Sequence, residues 1–251
     1  MMFNLKGRNA VVTGASAGLG REIAIALAGQ GANVAILARR EHKLEEVAAE
    51  IRRLGADCLV VKCDVTVNEQ VEAAAAKCIE HFGKIDILVN NAGGGHQIDA
   101  AEGDLNEWLR IADLNLNSVY RCCRAFAKNM IDNGYGRIIN IASMYGLVGS
   151  RGTQNSPYAA AKGGVVNLTR ALASEWAKYG INVNAVSPGY FKTEATEGMW
   201  ELVNQIAAEN TPIKRGGRHG EITAPVCFLA SDEASYMVGA IIPCDGGYTC
   251  I

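Results

Sequence analysis

Short β-branched runs alternate with longer helical stretches along the whole chain, and this rhythm restricts the fold more than any other feature. Runs at 10–13 (A-V-V-T), 33–38 (N-V-A-I-L-A), 58–63 (C-L-V-V-K-C), 85–90, 137–142, 181–187 and 240–244 read as strands. Helical stretches are predicted over 18–30, over E-H-K-L-E-E-V-A-A-E-I-R-R-L closed by Gly55, and over about 68–82 and 105–133. A further helix holds Tyr158 and Lys162. Strands separated by helices of ten or more residues form βαβ units, which demand a mostly parallel sheet covered on both faces. The strands are almost continuously apolar, as buried parallel strands must be. The expected class is α/β, doubly wound, in one domain over residues 1–251, because no linker, repeat or low-complexity segment interrupts it. Residues 190–218 are polar and carry Gly and Pro around a short helix at 200–209, and so read as a substrate loop or lid.

Composition narrows the function classes. A net charge of −2 in 251 residues leaves no basic footprint for nucleic acid. No apolar run approaches the 18 residues that span a bilayer, and the first residues are too short and polar for a signal peptide, so a cytoplasmic protein is expected. The eight cysteines form no C-x-x-C and no Cys/His cluster, so buried free thiols and no metal are expected.

Between the first strand and the first helix lies V-V-T-G-A-S-A-G-L-G. Gly14, Gly18 and Gly20 permit a tight turn and let backbone N–H groups approach an anion at a helix N-terminus. The spacing is neither G-x-G-x-x-G nor a Walker loop, but its place in a βαβ unit points to a dinucleotide. At the end of the second strand, where an acid would accept from ribose hydroxyls, the chain has Arg39 and Arg40. These can pair with a 2′-phosphate, which favours NADP(H) over NAD(H). They could equally be solvated at a helix start, and Ala17 leaves the loop itself without a basic residue.

Tyr158 and Lys162 stand at i and i+4 of a helix and so share a face. A free tyrosine titrates near ~10, and bringing it to neutrality takes roughly 4 kcal/mol. One cation about 4 Å away in a partly buried site supplies that much. A surface pair is the alternative for this spacing taken alone.

With T-G-A-S-A-G-L-G, N-N-A-G at 90–93, Ser143 fifteen residues before Tyr158, Y-A-A-A-K and P-G at 188–189, the whole chain resembles the short-chain dehydrogenase/reductase family. The resemblance implies a seven-stranded Rossmann sheet, a nicotinamide cofactor and reversible carbonyl/alcohol chemistry. It makes Tyr158 the general acid, Lys162 the group that lowers its pKa and holds the nicotinamide ribose, and Ser143 a donor to the substrate oxygen. Asn115 would hold a water linking Lys162 to solvent. Thr13 to Gly20, including Ser16 and Leu19, would wrap the pyrophosphate. Asp64, with Val65 beside it, resembles the adenine-binding acid. Asn90 and Gly93 would line the adenosine ribose, and Phe191 and Thr193, after Pro188 and Gly189, would contact the carboxamide.

Within the family, S-M-Y-G-L-V-G and P-G-Y-F-K-T-E look most like the gluconate 5-dehydrogenase group. The polar residues His96, Gln97, Arg151, Gln154 and Asn155 suit a sugar acid or polyol. A 3-oxoacyl-thioester reductase is the alternative, as is a hydroxysteroid dehydrogenase using Met144, Tyr145, Met199 and Trp200 as an apolar wall. A non-catalytic nucleotide sensor is the alternative of another class. N-N-A-G-G-G and the long Ser143–Tyr158 interval depart from the commonest pattern and set the substrate wall apart. The family also implies a homo-oligomer, usually a tetramer, joined through the helices at about 105–133 and 156–180 and the last strand.

Overall fold

A computed structural model describes residues 3–95, 97–150, 153–194 and 196–250. In chain order they form β1 (Asn9–Thr13), α1 (Gly18–Gly29), β2 (Asn33–Ala38), α2 (Glu41–Arg53), β3 (Cys58–Lys62), α3 (Asn68–Phe82) and β4 (Ile87–Asn90). There follow α4 (Leu105–Ala112), α5 (Ser118–Asp132), β5 (Gly136–Ile141), α6 (Ser156–Trp176), β6 (Ile181–Pro188), α7 (Trp200–Asn210), α8 (Thr223–Ala230) and β7 (Ile241–Cys244). The strands make one seven-stranded sheet in the order β3-β2-β1-β4-β5-β6-β7, parallel throughout. This is a Rossmann-like α/β fold.

Side chains alternate across the sheet with period two, so each strand feeds two cores. Val12, Ile36, Val89 and Ile139 pack with α1, α2 and α8 on one face. Val11, Leu37, Leu88 and Ile138 pack with α3, α5 and α6 on the other. β1 pairs β2 on one side and β4 on the other, so the connections that leave their C-terminal ends diverge to opposite faces. A crevice opens where they part, and ligands of open α/β sheets bind there.

Two elements differ from expectation. The single helix predicted at 105–133 is three pieces: α4, a π-turn at Asp113–Asn117 and α5. Asn115 lies in that turn and is fully buried, and its amide donates to the Ile111 carbonyl at 2.8 Å. Such an insertion into the helical ladder is how a local bulge forms. Helix α8 escapes the periodicity because T-A-P-V-C-F-L-A has no polar stripe to reveal a face.

Six cysteines are buried free thiols, with Cys244 half-buried and Cys250 exposed. Burial pushes Cys58, Cys78 and Cys227 up to about 12, so they remain inert thiols. Among the described residues no group of three His, Cys, Asp or Glu could hold a metal, and no helix is long and apolar enough to cross a membrane.

Candidate active site

The glycines after β1 have separate reasons to be glycine. Gly14 and Gly18 have φ of 66° and 54°, which side chains resist. At Gly20 a Cβ would lie 2.3 Å from Asn91 Nδ2 and 2.4 Å from the Gly14 carbonyl oxygen, so α1 begins only because nothing projects there. The junction is tied from the β4 side. Asn91 Nδ2 donates to the Thr13 and Gly14 carbonyls at 3.0 and 3.3 Å, and the Thr13 hydroxyl accepts from the Asn91 and Ala92 N–H groups. Ala17 at the N-cap of α1 gives the first turn no side-chain acceptor. Those N–H groups are available to an anion.

Above this floor is a cavity of about 520 Å³, lined by Gly14, Ser16, Gly18, Leu19, Arg39, Arg40, Asp64, Val65, Gly93, Ser143, Tyr158, Lys162, Pro188, Gly189, Phe191 and Thr193. Residues scattered from 14 to 193 are thus brought to one wall. Gly20, Asn90 and Asn115 are among the expected site residues that do not line it. Gly20 serves packing. Asn90 points into the interior, where its amide donates to Asn140 Oδ1 at 2.9 Å and to Cys123 Sγ at 3.2 Å. Its side chain is a buried link between β4 and β5, and Asn91, Ala92 and Gly93 are the loop residues at the cavity.

Asn115 is the third. Its Nδ2 donates to the Gly94 carbonyl at 2.6 Å as well as to Ile111, and its Oδ1 accepts from the Gly94 N–H at 3.0 Å. Both amide hydrogens are spent on backbone. Its side-chain donors fix the glycine loop and the π-turn.

At the catalytic end, β5 delivers Ser143 two residues past its last residue, and α6 presents Tyr158 and Lys162 on one face. Lys162 is buried and donates to the Ile141 carbonyl at 2.7 Å, with Nζ 5.7 Å from the Tyr158 ring centre. Burial pulls the ammonium down to about 8. Tyr158 is half-buried, and burial pushes its phenol above the ordinary value while the Ser143 hydrogen bond draws it back. The expected lowering by Lys162 is not what dominates here, because the ammonium is turned toward Ile141 and desolvation outweighs it. The protonated phenol is the form from which a general acid starts, and the Ser143 hydrogen bond acts in the direction that makes it a better donor.

At the far end, Arg40 donates to Glu194 at 3.0 and 2.7 Å and to Ser16 Oγ at 3.2 Å, and Lys43 also pairs with Glu194. The Arg39 side chain is 77% exposed and sits 4.0 Å from Asp64, whose carboxylate accepts from the Thr66 N–H and hydroxyl. Glu194 carried no sequence signal, because its partners lie more than 150 positions away.

The substrate wall is also partly new. The Tyr145 and Tyr190 hydroxyls are 3.1 Å apart, and both rings meet Tyr248 edge-on. Gln154 donates to Asp99 at 2.7 Å and Asn155 accepts from Ser150 at 2.5 Å, so these expected lining residues brace loops rather than face the cavity. His96 and Arg151 lie outside the described residues.

The lining fits a dinucleotide. Uncapped N–H groups that could take a pyrophosphate open at the start of α1, cations stand at one end, and a proton donor beside a buried ammonium stands at the other. The family model described as enoyl-(acyl carrier protein) reductase matches residues 14–249. A galactitol 2-dehydrogenase (L-tagatose-forming) of Cereibacter sphaeroides is 42% identical over 250 residues, which is 99% of this chain and 97% of that protein. A 3-oxoacyl-(acyl-carrier-protein) reductase of Staphylococcus aureus is 37% identical, covering 96% and 97%. Among solved structures, a variant of actinorhodin polyketide ketoreductase with NADPH superposes with a TM-score of 0.90 at 33% identity, covering 97% of this chain and 98% of that one.

Proposed function

The chain belongs to the short-chain dehydrogenase/reductase family, and we propose that within it this protein is a cytoplasmic, NADP(H)-preferring enzyme interconverting a secondary alcohol and a ketone on a polyol or sugar acid. Membership of the family makes it an oxidoreductase of NAD(P)-dependent alcohol/ketone chemistry.

A bound nicotinamide supplies the hydride. Every other task falls to the chain. The backbone from Gly14 to Leu19 and the N-terminus of α1 would hold the pyrophosphate, and Lys162 would hold ribose hydroxyls. Phe191 and Thr193 would fix the carboxamide, and Asp64 with Val65 the adenine. Ser143 donates to the substrate oxygen, stabilising the charge that develops on it, and Tyr158 delivers the proton. Residues 190–218 form the substrate loop.

One observation carries the polyol reading: the hydroxyl run of Tyr145 and Tyr190 on the cavity wall. Tyr190 is hydrogen-bonded to Tyr145 and to Tyr248, so what this wall offers a substrate is the remaining lone pairs of the phenols. A substrate rich in hydroxyls satisfies them, and an alkyl chain or steroid leaves them unpaired, which is costly. The 42% likeness to a galactitol dehydrogenase supports the same reading. The likeness to an acyl-carrier-protein reductase supports 3-oxoacyl-thioester reduction as the second reading. The complete set of Ser143, Tyr158 and Lys162 speaks against a sensor without turnover.

A homotetramer is part of the proposal. Leu105, Trp108, Leu109 and Tyr120 expose apolar surface on α4 and α5, as an interface would. Light scattering that found only monomer would remove that part. The function itself is tested by following nicotinamide absorbance with NADPH and NADH against keto-sugars, keto-acids, acetoacetyl thioesters and ketosteroids. Turnover highest with a keto-sugar or keto-acid is expected; preference for the thioester transfers the assignment to the second reading, and no turnover at all favours the sensor.

A further inference from the structure

Glu194 follows Thr193 on the segment beyond β6, yet its carboxylate reaches the first βαβ unit. The Arg40 guanidinium places one nitrogen against each of its oxygens, at 3.0 and 2.7 Å, in the fork geometry that also suits a phosphate. Lys43 adds a second cation to the same carboxylate. Arg40 reaches back to Ser16 Oγ in the phosphate loop at 3.2 Å, so the pair stands at the cavity and not on a remote surface. Ser16, Arg40 and Glu194 all line that cavity.

A carboxylate and a phosphate cannot share one guanidinium fork without like-charge repulsion. We propose that Glu194 is an internal competitor for the Arg40–Lys43 site, a specificity-determining residue that limits how strongly this chain prefers a 2′-phosphorylated cofactor. This rests on the reading that Arg40 receives the 2′-phosphate. A 2′-phosphate binds by displacing the carboxylate from the fork, whereas a cofactor ending in a free 2′-hydroxyl leaves the ion pair intact. Arg40 and Lys43 hold the Glu194 carboxyl down to about 2, so the competitor is ionised throughout the neutral range. Discrimination is therefore weaker than the basic residues alone would give, and Glu194 is the side chain that sets it.

The test uses adenosine 2′,5′-bisphosphate and adenosine 5′-monophosphate as probes, titrated calorimetrically into the full-length protein, the Glu194→Gln variant and the Arg40→Gln variant. Neither probe carries a nicotinamide, so the readout is free of turnover. Glu194→Gln is expected to tighten the bisphosphate about fivefold, the worth of one or two exposed ion pairs, and to leave the monophosphate within about twofold. A bisphosphate affinity unchanged by Glu194→Gln, or a parallel change for both probes, overturns the inference. Arg40→Gln separates the two levels of the argument. If it weakens the bisphosphate while Glu194→Gln does nothing, only the competitor role fails; if it leaves the bisphosphate unchanged, the NADP(H) reading falls and the competitor role with it.

Discussion

Asn115 grips both polar groups of one glycine: its Oδ1 accepts from the Gly94 N–H at 3.0 Å and its Nδ2 donates to the Gly94 carbonyl at 2.6 Å. A Cβ on neighbouring Gly93 would fall 2.8 Å from the same Oδ1 and 3.4 Å from Lys162 Nζ. The glycine loop, the π-turn and the buried lysine are therefore one packed unit, and a side chain in the π-turn shapes the wall beside Tyr158.

Breaking this clamp should show in stability before chemistry. Asn115→Ala leaves the Gly94 backbone and the Ile111 carbonyl short of partners, at a cost of about 2–4 kcal/mol. For a chain of this size that lowers Tm by roughly 5–12 °C. Asn115→Asp has the same shape and no amide donors, and should be as damaging. A calorimetric scan in which Asn115→Asp melts with the wild type would dismiss the clamp.

Tyr158→Phe should retain the fold and lose about 10³-fold in kcat, the span expected of a positioned general acid. Ser143→Ala removes one donor to the developing oxyanion and should cost about 10²-fold. Circular dichroism confirms folding alongside turnover; a Tyr158→Phe enzyme with most of its rate intact means the proton comes from elsewhere.

Lys162 makes stability depend on pH. Its folded pKa of about 8 lies below the unfolded value of ~10.4. Between those values the unfolded chain binds more protons, so stability rises with pH across that window by about 3 kcal/mol and is level below it. Urea midpoints from pH 7.5 to 10 should climb for the wild type and stay flatter for Lys162→Met. Equal slopes in the two proteins would show that the ammonium is not desolvated.

Gly20 and Gly29 sit in the same helix and should answer oppositely to alanine. Propensity favours alanine by up to about 1 kcal/mol at both. At Gly29 no atom lies within 4 Å of the added methyl, so the gain is realised in part. At Gly20 the methyl meets Asn91 Nδ2 at 2.3 Å, and the clash wins by about 1–3 kcal/mol. Denaturant melts of the two variants decide it, and a stabilised Gly20→Ala would refute the close approach.

Tyr190→Phe deletes a hydroxyl from the cavity wall. For a polyol substrate KM should rise roughly fivefold, about one hydrogen bond, while kcat changes less than about twofold. Steady-state kinetics in which only kcat moves would place Tyr190 at the reacting centre instead.

The strands and most helices were legible because their apolar periodicity is local, and observed ends fall within one or two residues of the expected ones except where the 105–133 helix divides and where the 156–180 helix ends at Trp176. Asn115 was visible as a residue of the site, but its pairing with Gly94 was not, since twenty-one positions separate them and the π-turn has no composition of its own. Asn90 and Asn91 look alike as N-N; only the pleat turns one into the interior and the other toward the Thr13–Gly14 junction.

The sequence by itself determined the parallel α/β sheet, the glycine turn after β1 and the i, i+4 pairing of Tyr158 with Lys162, because each follows from short-range periodicity and chain stereochemistry. The tertiary structure alone decided that burial raises the Tyr158 phenol, that Lys162 faces Ile141, and that Glu194 crosses the cavity to Arg40. Desolvation and ion pairing depend on what surrounds a group in three dimensions, and no window along the chain contains that surrounding.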